Sequence, residues 1–302
     1  MIGRTQKINR FEDIIYGTAK LGDQKYGFSS IRESLFLKEE FINNLLEKGV
    51  ERFDTSPRYG DAQLTLGKAL KNKYGSVKVD SKIVGLKPND SRSRDKIFEQ
   101  VETSLKHLNR SSLNVLYLHQ NQIKILKDKM IQNALKEVLE NGLAKKIGTS
   151  VYSHLELEYS LQNDLFNTIQ VPVNILNTSF YDKFLASSKK GTKELIARSV
   201  FLQGTLLNVD EAFLRKINIE LYNKIQKLEV ICKKHNTTML NEAKKTVYQL
   251  FGLKIIQSSL SFKNIKSNLC FETHGNDDLI EKEIRDLRDL EYTFTNPRNW
   301  NI

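Results

Sequence analysis

At 302 residues, 39% of them hydrophobic, the chain can bury a large core, yet no apolar run approaches the roughly 20 residues of a membrane span. The N-terminal MIGRTQKINRFED has no apolar stretch of leader type, and two cysteines, Cys232 and Cys270, make neither a disulfide framework nor a metal spacing. The formal net charge of +11 comes from lysines interleaved with acids and without interleaved aromatics, so a cytoplasmic protein with no nucleic-acid or membrane partner is expected.

In chain order, residues 11–17 (FEDIIYG) read as a first strand, with Gly17 and Thr18 opening the loop beyond it. An amphipathic helix over 38–48 ends at Gly49. The stretch 51–70, ERFDTSPRYGDAQLTLGKAL, follows as a short alternating strand ending on Asp54 and a turn containing Pro57, Tyr59 and Gly60. A helix then starts at Asp61, an expected N-cap. Strand 77–83 carries Lys82, a helix near 93–107 buries Ile97, Val101, Leu105 and Leu108, and strand 113–119 carries His119.

The alternation continues with helix 128–140, strand 144–150, a helix from Ser153, a strand through 168–170, a helix within 180–190 and strand 195–200. Helices over 211–235 and 238–251, an eighth strand at 253–257 and a helix near Phe262 complete the count. Eight strand–helix units without a linker fit one α/β domain over 1–302, a (β/α)8 barrel, because parallel neighbours need crossover helices. The rival doubly wound sheet would want a G-x-G fingerprint, and none occurs. The tail, about 276–302, carries an extra charged helix and is expected to fold over the barrel mouth. There Trp300 either shapes a pocket or anchors the tail.

Taken alone, Asp54 reads equally as a turn cap and Tyr59 as a packed ring. Lys82 and His119 at or near the ends of the next two strands turn the reading towards chemistry, since βα barrels gather reactive groups where strands deliver their loops. FDTSPRYG, the SK of VDSKIVG and the LYLH of NVLYLHQ resemble the aldo-keto reductase family. The resemblance runs through nearly the whole chain and is strongest before residue 150. It implies a (β/α)8 barrel, a nicotinamide cofactor and a catalytic tetrad falling on Asp54, Tyr59, Lys82 and His119. A tyrosine hydroxyl, with an ordinary pKa of about 10, donates sluggishly at neutral pH; a cationic lysine beside it favours the phenolate. Asp54 would hold that lysine, and His119 would orient the carbonyl or assist the proton transfer.

The same resemblance implies a cofactor site. Gly17, Thr18 and Asp54 lie beside the cofactor, Ser150 and Gln170 hold the carboxamide, and Val151 stands where the family has an asparagine. Ser199 falls near the pyrophosphate. Arg198 replaces an aromatic that stacks on the nicotinamide. At the adenosine end Ser259 and Asn268 match, while Asn264 and Ser267 stand where an arginine and a glutamate are usual. Lys263 and Lys266 remain as point charges for a 2′-phosphate. NADP(H) is therefore expected to be favoured, with NAD(H) also used, on a small carbonyl substrate of sugar-like character. The alternative is a barrel retained as a cofactor-sensing regulatory or binding subunit.

Overall fold

The computed structural model describes residues 4–7, 14–22, 38–71, 77–119, 122–206, 211–250, 252–268, 270–273, 275–288, 292–296 and 299–300. Strand β1 (Arg4–Lys7) precedes a run of strands and helices that begins with β2 (Ile15–Gly17) and α1 (Ala19–Gly22). There follow α2 (Lys38–Glu47), β3 (Arg52–Asp54), α3 (Ala62–Ala69), β4 (Lys78–Ile83), α4 (Ser93–Leu108) and β5 (Val115–Leu118). Next come α5 (Ile123–Lys127), α6 (Lys129–Glu140), β6 (Ile147–Ser150), α7 (His154–Gln162), β7 (Phe166–Pro172), α8 (Ser179–Leu185) and β8 (Glu194–Arg198). Helices α9 (Glu211–Ile217), α10 (Ile219–Lys234) and α11 (Met239–Lys244) cross to β9 (Lys254–Gln257). The series ends with α12 (Phe262–Ser267), β10 (Cys270–Thr273), α13 (Asp277–Arg285) and α14 (Tyr292–Thr295).

Strands β2 to β9 pair in sequence order, each parallel to the next, and β9 pairs back onto β2, closing an eight-stranded barrel. The helices pack around it on the faces that their sequence periodicity marks. On α4, Ile97, Val101, Leu105 and Leu108 are all buried, and Asn109 ends the helix in the left-handed region at φ 50°. Helix α6 starts at Asp128, whose carboxylate accepts from the Met130 and Ile131 amides and so fills two of the donors a helix start leaves open. Ser153 caps α7 by accepting from the Glu156 amide, and the Glu156 side chain accepts from the Tyr152 amide in return.

Several expected boundaries move for local reasons. Of the expected first strand, residues 11–13 lie outside the described residues and β2 begins at Ile15. Strand β7 is longer than the expected 168–170, running over Phe166–Pro172. Strand β8 stops at Arg198 rather than Val200, because Ser199 turns the chain at φ 59°. The expected helix 211–235 breaks at Asn218, whose extended backbone and side-chain oxygen cap α10. Helix α11 widens into a π-helical stretch over Lys245–Leu250. Asp61 precedes α3 as expected, but its carboxylate meets Lys38 Nζ at 3.2 Å instead of capping amides.

A small sheet outside the barrel was not anticipated. β1 pairs antiparallel with β10, from Arg4↔Thr273 to Lys7↔Cys270, in a two-stranded sheet outside the barrel. In the tail, Trp300 is buried among residues of α9, α10 and α13 together with Ile175, Leu176, Leu202 and Leu206, and its indole donates to the Phe294 carbonyl. Of the two roles expected for Trp300, these contacts describe an anchor.

Candidate active site

The period of two along a strand places Arg52 and Asp54 on one face of β3, and Asp80 and Lys82 on one face of β4. Both faces look into the barrel, where Asp54 is 3% and Lys82 2% exposed. Lys82 Nζ donates to Asp54 Oδ2 at 2.5 Å and to the Thr55 carbonyl at 2.9 Å. The other carboxylate oxygen, Oδ1, accepts from Gln170 Nε2 at 2.7 Å. Asp54 is thus gripped from β4 and from β7, and its own carbonyl accepts from the Thr18 amide and hydroxyl. A buried carboxylate and ammonium in this geometry hold each other in one position, since neither can be left alone without a large desolvation cost.

Beyond Asp54 the chain turns through 55–61, tied by the Thr55 amide to Asp80 and by the Tyr59 amide to Ser56. Tyr59 is half-buried, with Lys82 Nζ 5.1 Å from its ring centroid. The His119 ring meets it edge-on, at 6.1 Å between centroids and 84° between planes, and His119 Nδ1 lies 3.3 Å from Ser56 Oγ. Four residues from three successive strands and their loops, Asp54, Tyr59, Lys82 and His119, are therefore brought together. The loop closes against α1. A Cβ on Gly22 would lie 1.4 Å from the Tyr59 carbonyl oxygen, and one on Gly60 would lie 2.7 Å from the Gly22 carbonyl oxygen. Gly60 also needs its φ of 50°. Nothing in the sequence beyond the glycines themselves signalled that contact.

The residues expected around a nicotinamide cofactor ring the same mouth. Ser150 and Gln170 are register partners on β6 and β7. Gln170 is 1% exposed, and its Oε1 has no hydrogen-bond partner among the described residues, although its Nε2 is engaged by Asp54. A buried acceptor left open beside the Asp54–Lys82 pair suits a carboxamide N–H. Arg198, at the mouth end of β8, lays its guanidinium 4.0 Å from the Tyr152 ring centroid and donates to the Val151 carbonyl at 2.8 Å. Ser199 follows it in the left-handed turn. Gly17 packs tightly on β9, where a Cβ would meet Ile256 Cγ2 at 2.8 Å.

Towards the expected adenosine end, Ser259 lends its carbonyl to the Tyr16 hydroxyl and its Oγ to the Ser261 amide. The adjacent Ser258 Oγ, which the sequence reading passed over, is buried without a hydrogen-bond partner among the described residues. Asn268 is 8% exposed and donates its amide to Gln257 Oε1, a contact within the protein. Lys263 and Lys266 are exposed on α12. These open acceptors and the two lysines fit a dinucleotide. Among the described residues no cluster of histidine, cysteine or acidic side chains could hold a metal ion, and no helix is long and apolar enough to cross a membrane.

Below the Asp54–Lys82 pair the barrel interior is charged as well. Arg52 Nε donates to Asp80 Oδ2 at 2.9 Å and its Nη1 to Glu194 Oε1 at 3.0 Å, and Lys254 Nζ reaches the same glutamate oxygen at 3.0 Å. Asn114 Nδ2 donates to Asp80 Oδ1 at 2.6 Å. Burial pushes the Asp80 carboxyl up to about 6, the Arg52 guanidinium and the Asn114 amide offsetting only part of that. Burial also works against the charge of Arg52, but Asp80, Tyr117 and Glu194 around it raise its pKa above the ordinary value.

Residues 13–265 match the pattern described as the Aldo/keto reductase family. A curated relative, the D-arabinose 1-dehydrogenase of Saccharomyces cerevisiae, is 30% identical over 161 residues, which is 49% of this chain and 46% of the relative. The chain thus spans about half the length of the curated relative it matches. Among solved structures, an aldo-keto reductase from Bacillus halodurans in its holo form superposes with a TM-score of 0.71 at 16% identity, covering 98% of this chain and 100% of that one. The glycerol dehydrogenase of Gluconobacter oxydans gives 0.68 at 19% identity, over 91% and 90%. A mutant neighbour solved in complex with NADPH gives 0.63 at 18% identity, over 93% and 92%. At these identities the likeness speaks to the fold.

Proposed function

The chain belongs to the aldo/keto reductase family, and on that premise we propose that it is an NAD(P)(H)-dependent oxidoreductase reducing an aldehyde or ketone to its alcohol. Tyr59 is the proton donor in this reading. The observation that carries it is the buried Asp54–Lys82 pair, 2.5 Å apart, opening onto Tyr59 and His119 at the strand ends.

A bound nicotinamide cofactor supplies the hydride to the carbonyl carbon. The Tyr59 hydroxyl gives its proton to the carbonyl oxygen as charge develops there, and the phenolate left behind is reprotonated from water. Lys82 favours that phenolate, and Asp54 with the Thr55 carbonyl fixes Lys82 where it does so. His119, held at Ser56, orients the carbonyl or assists the proton transfer. Gln170 would accept from the carboxamide through its open Oε1. Lys263 and Lys266 would attract a 2′-phosphate, which favours NADP(H) while leaving NAD(H) usable. A sugar-like carbonyl substrate is supported by the name of the yeast relative, a D-arabinose dehydrogenase.

The test is consumption of NADPH or NADH with 4-nitrobenzaldehyde, followed by a panel of aldoses and keto-sugars. Turnover that depends on Tyr59, with kcat/KM higher for the sugars than for aromatic aldehydes, is the expected result. Absence of turnover with every carbonyl, despite cofactor binding by fluorescence quenching, would instead fit a cofactor-sensing subunit.

A further inference from the structure

The charge beneath the Asp54–Lys82 pair has no part in the reaction as written above. Two adjacent strands hold two buried ion pairs of opposite sense. On β3 the order is Arg52 then Asp54; on β4 it is Asp80 then Lys82, with Asp54 and Asp80 register partners. The upper pair runs from Asp54 to Lys82 and the lower from Arg52 to Asp80, so two carboxylates lie side by side between two cations. Glu194 on β8 and Lys254 on β9 extend the column towards the opposite end of the barrel.

The column contains three cations, Arg52, Lys82 and Lys254, and three carboxylates, Asp54, Asp80 and Glu194. The other titratable or polar groups facing it are Tyr117 and Asn114 from the β5 side, Thr168 and Gln170 on β7, and Tyr59 and His119 at the mouth. A lysine pair alone would not need this arrangement. Arg52 adds a second buried positive charge beneath the one that favours the phenolate, and Asp80, fully buried, balances it together with Glu194. Like charges in a low-dielectric interior act over longer distances than in water.

We propose that Asp80 is a positioning residue for the proton donor: its carboxylate, clamped by Arg52 beneath Asp54 and Lys82, opposes the field of the two buried cations and so keeps the Tyr59 hydroxyl protonated until a carbonyl takes its proton. The inference rests on Tyr59 being the donor. It assigns to a residue outside the tetrad the setting of the tetrad's proton affinity. Removing the Asp80 charge leaves Arg52 with Glu194 alone, which it shares with Lys254, and nearby protons, that of Tyr59 included, are then held less tightly. Glu194, farther along the same column, acts in the same direction and more weakly.

The experiment titrates tyrosinate absorbance in the full chain. Subtracting the curve of Tyr59→Phe isolates one of the 11 tyrosines, and the same subtraction is repeated in Asp80→Asn and Glu194→Gln backgrounds. The Tyr59 midpoint is expected to fall in Asp80→Asn by about 0.5 to 1 pH unit, the scale of one buried charge acting through the barrel interior. It should fall by less in Glu194→Gln, and the alkaline limb of kcat/KM should move with it in both. Midpoints in both folded variants within about 0.2 unit of wild type, against that expected scale, would overturn the proposal. If Asp80→Asn does not fold, Glu194→Gln decides alone: a downward shift supports the proposal and an unmoved midpoint rejects it. Absence of any carbonyl turnover in the wild type would defeat the enzymatic reading, whereas the tyrosinate titration would still read the effect of Asp80.

Discussion

Gly22 and Tyr59 meet backbone to backbone, so that a Cβ on the glycine would stand 1.4 Å from the tyrosine's carbonyl oxygen. Since the obstructing atom is main chain, it cannot move without carrying the loop with it. Gly22→Ala should therefore displace Tyr59 from Lys82. We expect kcat/KM to fall by about 10-fold or more, the scale of a misplacement near 1 Å in a reacting group, with a loss of about 1–3 kcal/mol in unfolding free energy from overpacking. Unchanged kinetics would mean that the loop relaxes without moving the phenol.

Tyr59→Phe keeps the ring and removes only the hydroxyl. The expected outcome is a fall in kcat of at least about 10²-fold with cofactor affinity nearly unchanged, measured by steady-state kinetics and fluorescence quenching. Lys82→Met should lose a similar amount, and the double variant little more than either single one, because the pair acts as a unit. Activity of Tyr59→Phe within about tenfold of wild type would remove it as donor.

Asp80 also predicts how stability depends on pH. Burial raises its carboxyl from 3.8 to about 6, so the folded state binds this proton more tightly than the unfolded chain does. Its stabilising contribution is complete below about pH 4 and is lost as pH rises through about 6. Asp80→Asn has no such proton. Whatever its offset at acid pH, the variant should gain on the wild type by about 2 kcal/mol between pH 4 and pH 7 in denaturant titrations. A difference that stays flat over that range would show that Arg52 holds the carboxylate ionised throughout.

The cofactor's adenosine end is the softest part of the site. Helix α12, where the proposed reading puts the 2′-phosphate, has no arginine; Asn264 stands there and Lys263 and Lys266 are exposed. NADP(H) should be favoured over NAD(H) by no more than about 2–3 kcal/mol, and Lys263→Ala and Lys266→Ala should narrow that gap while leaving NAD(H) kinetics alone. A preference above about 10³-fold, well beyond one or two charge-assisted bonds, that survives both substitutions would point to another phosphate reader.

The barrel was legible because its strands alternate with helices whose apolar faces and caps follow local rules, as Asp128 and Ser153 do. The tetrad was legible because each member sits in a short stretch of its own. Arg52 and Asp80 lay within two residues of Asp54 and Lys82 and passed unnoticed. Their period-two placement showed that they share those residues' faces, but charged residues in a strand usually point to water, and only closure of the barrel turns them inward. Asn268 shows the reverse limit. Its match to a family position said nothing of the Gln257 amide that it meets in the folded chain. The Gly22 contact joins two loops and leaves no periodic trace.

The pairing of β1 with β10 puts a constraint on the order in which the chain can become ordered. On a ribosome β1 emerges before any barrel strand, while β10, its sheet partner among the described residues, emerges after the last of them. Until then its edge is an open template for strands of other chains, and its composition, RTQK, with two cations in four residues, makes poor addition to such edges. The β1–β10 sheet can therefore register only after β9 has been synthesised. Nascent chains arrested before Cys270 should leave the Arg4–Lys7 segment open to proteolysis while the barrel segments are already collapsing.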